Sequence, residues 1–290
     1  MQRTNPDGRF DYATIGHVTV DVMFDGTRRA GGSAFYSALQ ASRLGMRTLI
    51  VTRGVPEEIE RLLEPYRAEL ALEIQAAEHT TTLLTSGAGD ARTQRVLAWA
   101  GPIEAPPPVE SSILHLAPVA RETPRIRSDG AAFLGLTPQG LARRWAADGE
   151  MSLAAVDPDQ LPEPCEAIVL SEVEQTACAA LLARARAAGA IVAVTAGHRP
   201  TTILLPGGET LHAPAPATEL DGEDIGAGDV FAAALFIALH EGQHPSDAAA
   251  FASAAAALRV GAPATTGIAG RAAIESRVRG RATGERQPRR

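Results

Sequence analysis

The chain has 290 residues, 45% of them hydrophobic and 21% charged, with a formal net charge of −7. That length and balance suit one large domain with a buried core and exclude a fibrous or intrinsically disordered polymer. The acidic excess argues against a nucleic-acid surface, which needs a concentrated positive field, yet leaves room for an anionic ligand in a local pocket.

Cys165 and Cys178 are the only cysteines, and they form no CxxC pair. Neither a disulfide framework nor a thiolate zinc site is expected, and a reducing compartment, the cytoplasm, is the expected location. The opening residues MQRTNPDGRFDY hold no apolar segment of signal-peptide type. The apolar run VFAAALFIALH falls short of the roughly 20 residues that span a bilayer, so no membrane partner is expected.

In chain order, residues 13–24 (ATIGHVTVDVMF) read as an opening strand that ends near Asp21. A polar link leads into a helix over 31–45 (GGSAFYSALQASRLG) closed by Gly45. A strand at 47–53 and a helix around EEIERLLEPY continue a strand–helix–strand rhythm, which argues for α/β organisation. The stretch 69–104 interrupts it with the β-like pieces LALEIQA, TTTLLTS and RTQRVLAWA, expected as a small antiparallel patch beside the main sheet. The rhythm resumes with a strand at SILHLAPV and a helix at TPQGLARRWAADG, the latter opened by Thr137 as N-cap and Pro138 at its first position. Strands at SLAAVDP and AIVLS, a helix over EVEQTACAALLARARAAGA and a strand at IVAVTAG follow. Residues 201–213 read as a hairpin around Pro-Gly-Gly, and APAPATEL as a rigid connector. A helix from 229 and another over 246–261 complete a domain of residues 10–275, with 276–290 as a disordered tail.

The tetrapeptide GAGD occurs twice. At 87–90 it lies between two β-like segments, where glycine and aspartate serve a tight turn. At 226–229 it is followed by VFAAALFIALH, an alanine-rich helical run. The leading N–H groups of a helix lack internal partners and its dipole attracts anions, while glycines let the backbone approach a phosphate closely. Asp229 then has two readings: a helix cap, or a carboxylate placed to take a proton from an incoming hydroxyl. No GxxxxGK[ST] is present, and no GxGxxG follows the first strand, which excludes a Walker-type loop and weakens a dinucleotide site.

Two patterns together resemble the ribokinase-like (PfkB) family of carbohydrate and nucleoside kinases. One is Gly226-Ala227-Gly228-Asp229-Val230-Phe231 followed by Ala233-Ala234-Leu235. The other is a strand ending in Asp21, then Gly31-Gly32 opening a helix that closes at Arg43-Leu44-Gly45. The resemblance covers residues 13–275. It implies a three-layer α/β/α fold around a mostly parallel sheet. Only nine residues separate Asp21 from Gly31, so the family's β lid is expected to be reduced and drawn from 20–31 and 69–104.

By the same resemblance the activity would be transfer of the γ-phosphoryl group of ATP to an alcohol of a sugar, cyclitol or nucleoside. Asp229 would be the catalytic base, and the backbone N–H groups of Gly226, Ala227 and Gly228 the hole for the transferring group. Asp21, Gly31 and Gly32 would hold the acceptor, Thr195 and Gly197 would approach ATP, and Glu174 would organise Mg2+ through water. A monovalent cation is an optional third cofactor, and the assembly would be a monomer or homodimer with a small-molecule alcohol as its partner. The chain departs from the family in carrying Glu223-Asp224-Ile225 where a threonine is usual and Ser171 where asparagine is usual. These departures motivate a second reading, a non-catalytic relative that binds a small ligand or a partner.

Two other signals are discounted. His240-Glu241-Gly242-Gln243-His244 matches HExxH, but Gly242 and Pro245 end the helix that pattern requires. Asp157, in VDPDQ, reads equally as a turn residue or as a ligand at a strand's carboxyl end.

Overall fold

The computed structural model describes residues 9–87, 93–104, 109–126, 131, 133–213, 224–262 and 264–284. The first half runs β1 (Phe10–Ile15), β2 (Thr19–Met23), β3 (Arg28–Gly31), α1 (Ser33–Arg43), β4 (Thr48–Gly54), α2 (Pro56–Leu63), β5 (Leu70–Ala76), β6 (Thr82–Ser86), β7 (Thr93–Ala98) and β8 (Ser111–Leu116). Then come β9 (Phe133–Leu136), α3 (Gln139–Ala142), β10 (Arg143–Trp145), β11 (Met151–Leu153), β12 (Ala167–Ser171), α4 (Ala179–Ala187) and β13 (Ile191–Ala196). β14 (Arg199–Leu204), β15 (Thr210–Ala213), α5 (Ala227–His240), α6 (Pro245–Val260) and α7 (Arg271–Gly284) complete the chain.

Among the described residues, nine strands form one sheet in the order β15-β14-β13-β12-β9-β8-β1-β4-β5. From β13 to β5 every neighbouring pair is parallel, and the hairpin β14–β15 adds an antiparallel edge. Parallel strands covered on both faces are apolar throughout, and β9 and most of β12 are buried residue after residue. One face packs against α1, α5 and α6 around Phe35, Leu39 and Phe236; the other packs against α4 around Leu181 and Val192. The result is a three-layer α/β/α sandwich.

Helix α5 lies deepest. Val230 through Ala238 are all buried, the pattern of a helix enclosed on every side. The Phe236 ring rests on β9, where a Cβ on Gly135 would come within 2.4 Å of it. That single-residue gap sets the depth of α5 and with it the position of the helix's first turn. No helix among the described residues is long and apolar enough to cross a membrane.

Five expectations need correction. The opening strand breaks at residues 16–18 into β1, in the main sheet, and β2, in a separate four-stranded sheet ordered β3-β2-β6-β7. At the break, Gly16 lies so close to Ala117 O that a Cβ would sit 2.2 Å from it. The fully buried Glu122 clamps the same crossing by accepting from the backbone N–H of His17 (2.8 Å), Val119 (2.8 Å) and Ala120 (2.6 Å). Segment LALEIQA joins the main sheet beside β4, parallel to it over seven pairs, rather than the antiparallel patch. The helix expected at 137–149 stops after one turn: Arg143 turns extended at φ −72° and ψ 138°, and the chain forms the hairpin β10–β11, which also takes SLAAVDP out of the main sheet. Strand β9 has no counterpart in the sequence reading, because four residues ending at Leu136 are too few for a periodic signal. The stretch from 276 continues as helix to Gly284 rather than opening as a tail. The turn expected at 87–90 and the connector APAPATEL lie largely outside the described residues.

Candidate active site

Parallel α/β sheets bind ligands beyond the carboxyl ends of their strands, where neighbouring strands send their connections in opposite directions. In this sheet the point lies between β1, which leads toward β4, and β8, which leads toward β9. An open cleft sits there, lined by Val119, Thr137, Ser171 and Thr195 from strand ends, by Asp21 from β2, and by Asp229 from α5. Two helices, α1 and α5, bring their N-terminal turns to it, through Gly32 and Ser33 and through Gly226 and Gly228.

At the start of α5 each glycine has its own reason. Gly226 is left-handed, at φ +80°, and a Cβ there would strike the Tyr36 ring at 2.5 Å. A Cβ on Gly228 would meet nothing within 4 Å, so the backbone there stands open to the cleft. Ala227 is the correction: its N–H donates to Asp224 O at 3.1 Å and closes a turn on its own chain. Among the described residues the N–H groups of Gly226, Gly228 and Asp229 have no protein acceptor. The amides left open to the cleft are therefore these three rather than the consecutive set 226–228.

Burial is the main reason the Asp229 carboxyl is pushed up to about 6. A hydrogen bond from Ser33 and the charge of Arg143 oppose that shift, and the carboxylates of Glu174 and Asp21 add to it. Asp229 thus remains an available proton acceptor near neutral pH.

Asp21 is 3% exposed and its Oδ1 accepts from Thr19 Oγ1 at 2.7 Å. Gly31, on the paired strand, supplies the space, since a Cβ there would come within 2.1 Å of Asp21 Oδ2. Gly31 is therefore a support for Asp21 and not part of the cleft lining. Gly32, at φ +95° and with its Cβ position 2.2 Å from His17 O, begins α1 and does line the cleft.

Glu174 is 5% exposed, and its Oε2 accepts from the N–H (2.6 Å) and Oγ (2.5 Å) of Ser171 while Oε1 accepts from Gln139 Nε2 (3.1 Å). Ser171 and Glu174 thus form a capping box at the short turn that follows β12. Thr195 lines the cleft, whereas Gly197 lies in the exposed turn between β13 and β14 at φ +60°. Asp224 and Ile225 also line the cleft; Glu223 lies outside the described residues. No group of three or more metal-ligating side chains occurs among the described residues. Glu174 and Asp224 are hard oxygen donors on one cleft, a set that fits magnesium held mainly by water and donor phosphates.

Several lining residues escaped the sequence reading: Ser33, Gln94, Thr137, Gln139 and Arg143. Arg143 matters most. Its Nη1 donates to Val119 O at 2.9 Å and its Nη2 to Gln94 Oε1 at 2.8 Å. Burial lowers the pKa of its guanidinium, and the charges of Glu174, Asp229, Asp21 and Glu122 oppose that shift. It is a fixed cation set among the site's acids. Only Ser33 had a sequence cue, its place directly after Gly31-Gly32.

The discounted signals stay outside this cleft. His240 ends α5 and His244 precedes α6, so HExxH spans two helices. Asp157 caps a short turn by accepting from Asp159 N at 2.9 Å.

Comparison with known proteins fits this geometry. Residues 162–269 match the sequence model described as pfkB family carbohydrate kinase. No curated protein matches the chain by sequence. Among solved structures, the chain resembles a pyrophosphate-dependent kinase in the ribokinase family complexed with a pyrophosphate analog and myo-inositol, at TM-score 0.72 and 20% identity over 87% of this chain and 96% of that one. Arabidopsis thaliana ribokinase complexed with ribose and ATP aligns at TM-score 0.71 and 17% identity, covering 93% and 99%. Fructokinase from Vibrio cholerae O395 in a fructose-, ADP- and potassium-bound form aligns at 0.68 and 16%, covering 92% and 98%. By sequence, residues 162–269 are similar to the pfkB family carbohydrate kinases, and the chain as a whole shares the fold of these ribokinase-family structures.

Proposed function

We propose that the chain is a kinase that transfers the terminal phosphoryl group of ATP to a hydroxyl of a small polyol, a sugar, cyclitol or nucleoside, with Asp229 as general base. The observation that carries this reading is the pairing, in one cleft, of a raised-pKa carboxylate with uncommitted helix N-terminal amides. Phosphoryl transfer requires little covalent chemistry from a protein and much positioning and charge neutralisation. The acceptor oxygen forms a bond to phosphorus as the bridging P–O bond of the donor breaks. Asp229 takes the hydroxyl proton, and the donor departs as ADP.

The amides of Gly226, Gly228 and Asp229 supply fixed dipoles for the equatorial oxygens, and Arg143 adds a permanent charge. Magnesium, flanked by Glu174 and Asp224, would neutralise donor phosphates. Asp21, held by Thr19, would accept a second acceptor hydroxyl and fix the orientation of the ring. The neighbour solved with a pyrophosphate analog makes pyrophosphate the alternative donor to test.

The test is a product assay. The protein is incubated with magnesium and either ATP or pyrophosphate, against a panel of sugars, cyclitols and nucleosides, and phosphorylated product is measured. A phosphorylated polyol is expected, and Asp229→Asn is expected to lower kcat by about 10²–10⁴-fold while donor binding survives. Binding without product across the panel would favour the non-catalytic reading instead. Unchanged turnover in Asp229→Asn would remove Asp229 as the base.

A further inference from the structure

Arg259, on α6, is 0% exposed. A buried guanidinium persists only where fixed partners stand in for water. Its Nη2 donates to Ile225 O at 2.6 Å and its Nη1 to Ala262 O at 3.3 Å. The guanidinium carbon lies 5.7 Å from the centroid of the Tyr36 ring, and the Tyr36 side chain is a further hydrogen-bond partner. The contacts with Ile225 and Tyr36 bear on the start of α5. Ile225 immediately precedes Gly226, and the Tyr36 ring is the surface against which Gly226 packs. Arg259 itself does not line the cleft. It is a cation behind the anion hole.

We propose that Arg259 is a built-in cation that makes the anion hole independent of potassium or sodium. By holding the Ile225 carbonyl it fixes the turn that aims the amides of Gly226, Gly228 and Asp229 at a phosphoryl group. It also takes up two backbone carbonyls, of Ile225 and Ala262, that an alkali ion would need in order to act on that turn. Alkali ions are bound by rings of backbone carbonyls. The carbonyls of Ile225 and Ala262 already face a guanidinium, and a second positive charge between them would be repelled at close range. Arg259 is a positioning residue, acting through the backbone of Ile225.

The inference rests on the reading of the cleft as a phosphoryl-transfer site, and the test separates the two. Calorimetric titration with magnesium–ATP and with magnesium–pyrophosphate is carried out in tetramethylammonium chloride and in potassium chloride at equal ionic strength. The wild type is expected to bind the better of these two probes equally in both salts, within about twofold, because no cation–anion linkage remains. Arg259→Ala is expected to bind it about tenfold or more weakly in tetramethylammonium and to recover most of that loss in potassium, which takes over the vacated carbonyls. Arg259→Lys, which keeps the charge, should bind like the wild type without potassium. If Arg259→Ala does not fold, the wild-type salt comparison and the lysine variant still decide the matter.

A wild type whose affinity rises about tenfold on adding potassium would overturn the proposal, as would Arg259→Ala binding normally. Weakened binding that potassium does not restore would reduce Arg259 to a packing role and overturn it as well. Failure of the wild type to bind either probe in either salt would remove the phosphoryl-transfer reading, and this inference with it.

Discussion

At Asp229, burial brings a carboxyl that ordinarily titrates near 3.8 up to about 6. A base must be ionised before it can accept a proton, so kcat is expected to fall tenfold per pH unit below about 6. The same shift has a cost in stability. A group whose folded pKa lies above its unfolded value stabilises the fold fully only below the unfolded pKa, and loses that contribution as pH rises through the folded one. Ionised Asp229 is thus a destabilising element above about pH 6. Asp229→Asn is expected to raise stability at pH 8 by about 1–2 kcal/mol, with the advantage disappearing toward pH 4. Melting temperatures at both pH values check this; an equal shift at both would refute it. The glycine-led start of α5 was legible in the sequence because glycine ahead of a helix has few physical meanings. The commitment of the Ala227 amide was not, since it depends on how tightly the turn from Asp224 closes.

The hairpin β2–β3 shows how an element converts local sequence into acceptor chemistry. Asp21 faces the cleft because β2 leaves the main sheet, and it fits there because Gly31 stands opposite without a side chain. In Gly31→Ala the new methyl would displace the Asp21 carboxylate. The acceptor KM is expected to rise about tenfold or more while the donor KM stays constant. Equal losses for both substrates, or none, would show that Asp21 does not contact the acceptor. Most elements with a clear period were legible: α1, α2, β4, β8, β12, β13, the hairpin β14–β15, α5 and α6. The exceptions have a physical cause. β9 is too short to show a period, and the helix expected after Thr137 is stopped by contacts that Arg143 makes elsewhere.

In the whole molecule, Arg143 joins the two sheets. It reaches Val119, beyond a main-sheet strand, and Gln94, on the small sheet, while its charge lies among the site's carboxylates. Arg143→Met is expected to lower kcat by about 10²–10³-fold, as loss of a fixed charge at a transferring group does. It is also expected to speed hydrogen exchange in β6 and β7, because the small sheet loses one of its ties to the main domain. Arg143→Lys should not rescue either effect, since an ammonium lacks the planar fork that spans both partners. Fast exchange with normal kcat would leave Arg143 as a structural tie alone; normal exchange with low kcat would leave it as an electrostatic one.

The sequence by itself determined the α/β class, the two glycine-led helix starts, and Asp21 and Asp229 as the acids most worth watching. These are readable because they depend on local rules: which residues accept positive φ, which begin helices, which alternate in strands. Only the tertiary structure decided that β2 and β6 share a second sheet, that the Ala227 amide is committed to its own chain, and which distant groups Arg143 and Arg259 bind. The partners of Arg143 lie up to 49 residues away and the Ile225 partner of Arg259 lies 34 away. Spacing along a chain carries no record of such meetings; packing brings them about, and burial then makes each charge count.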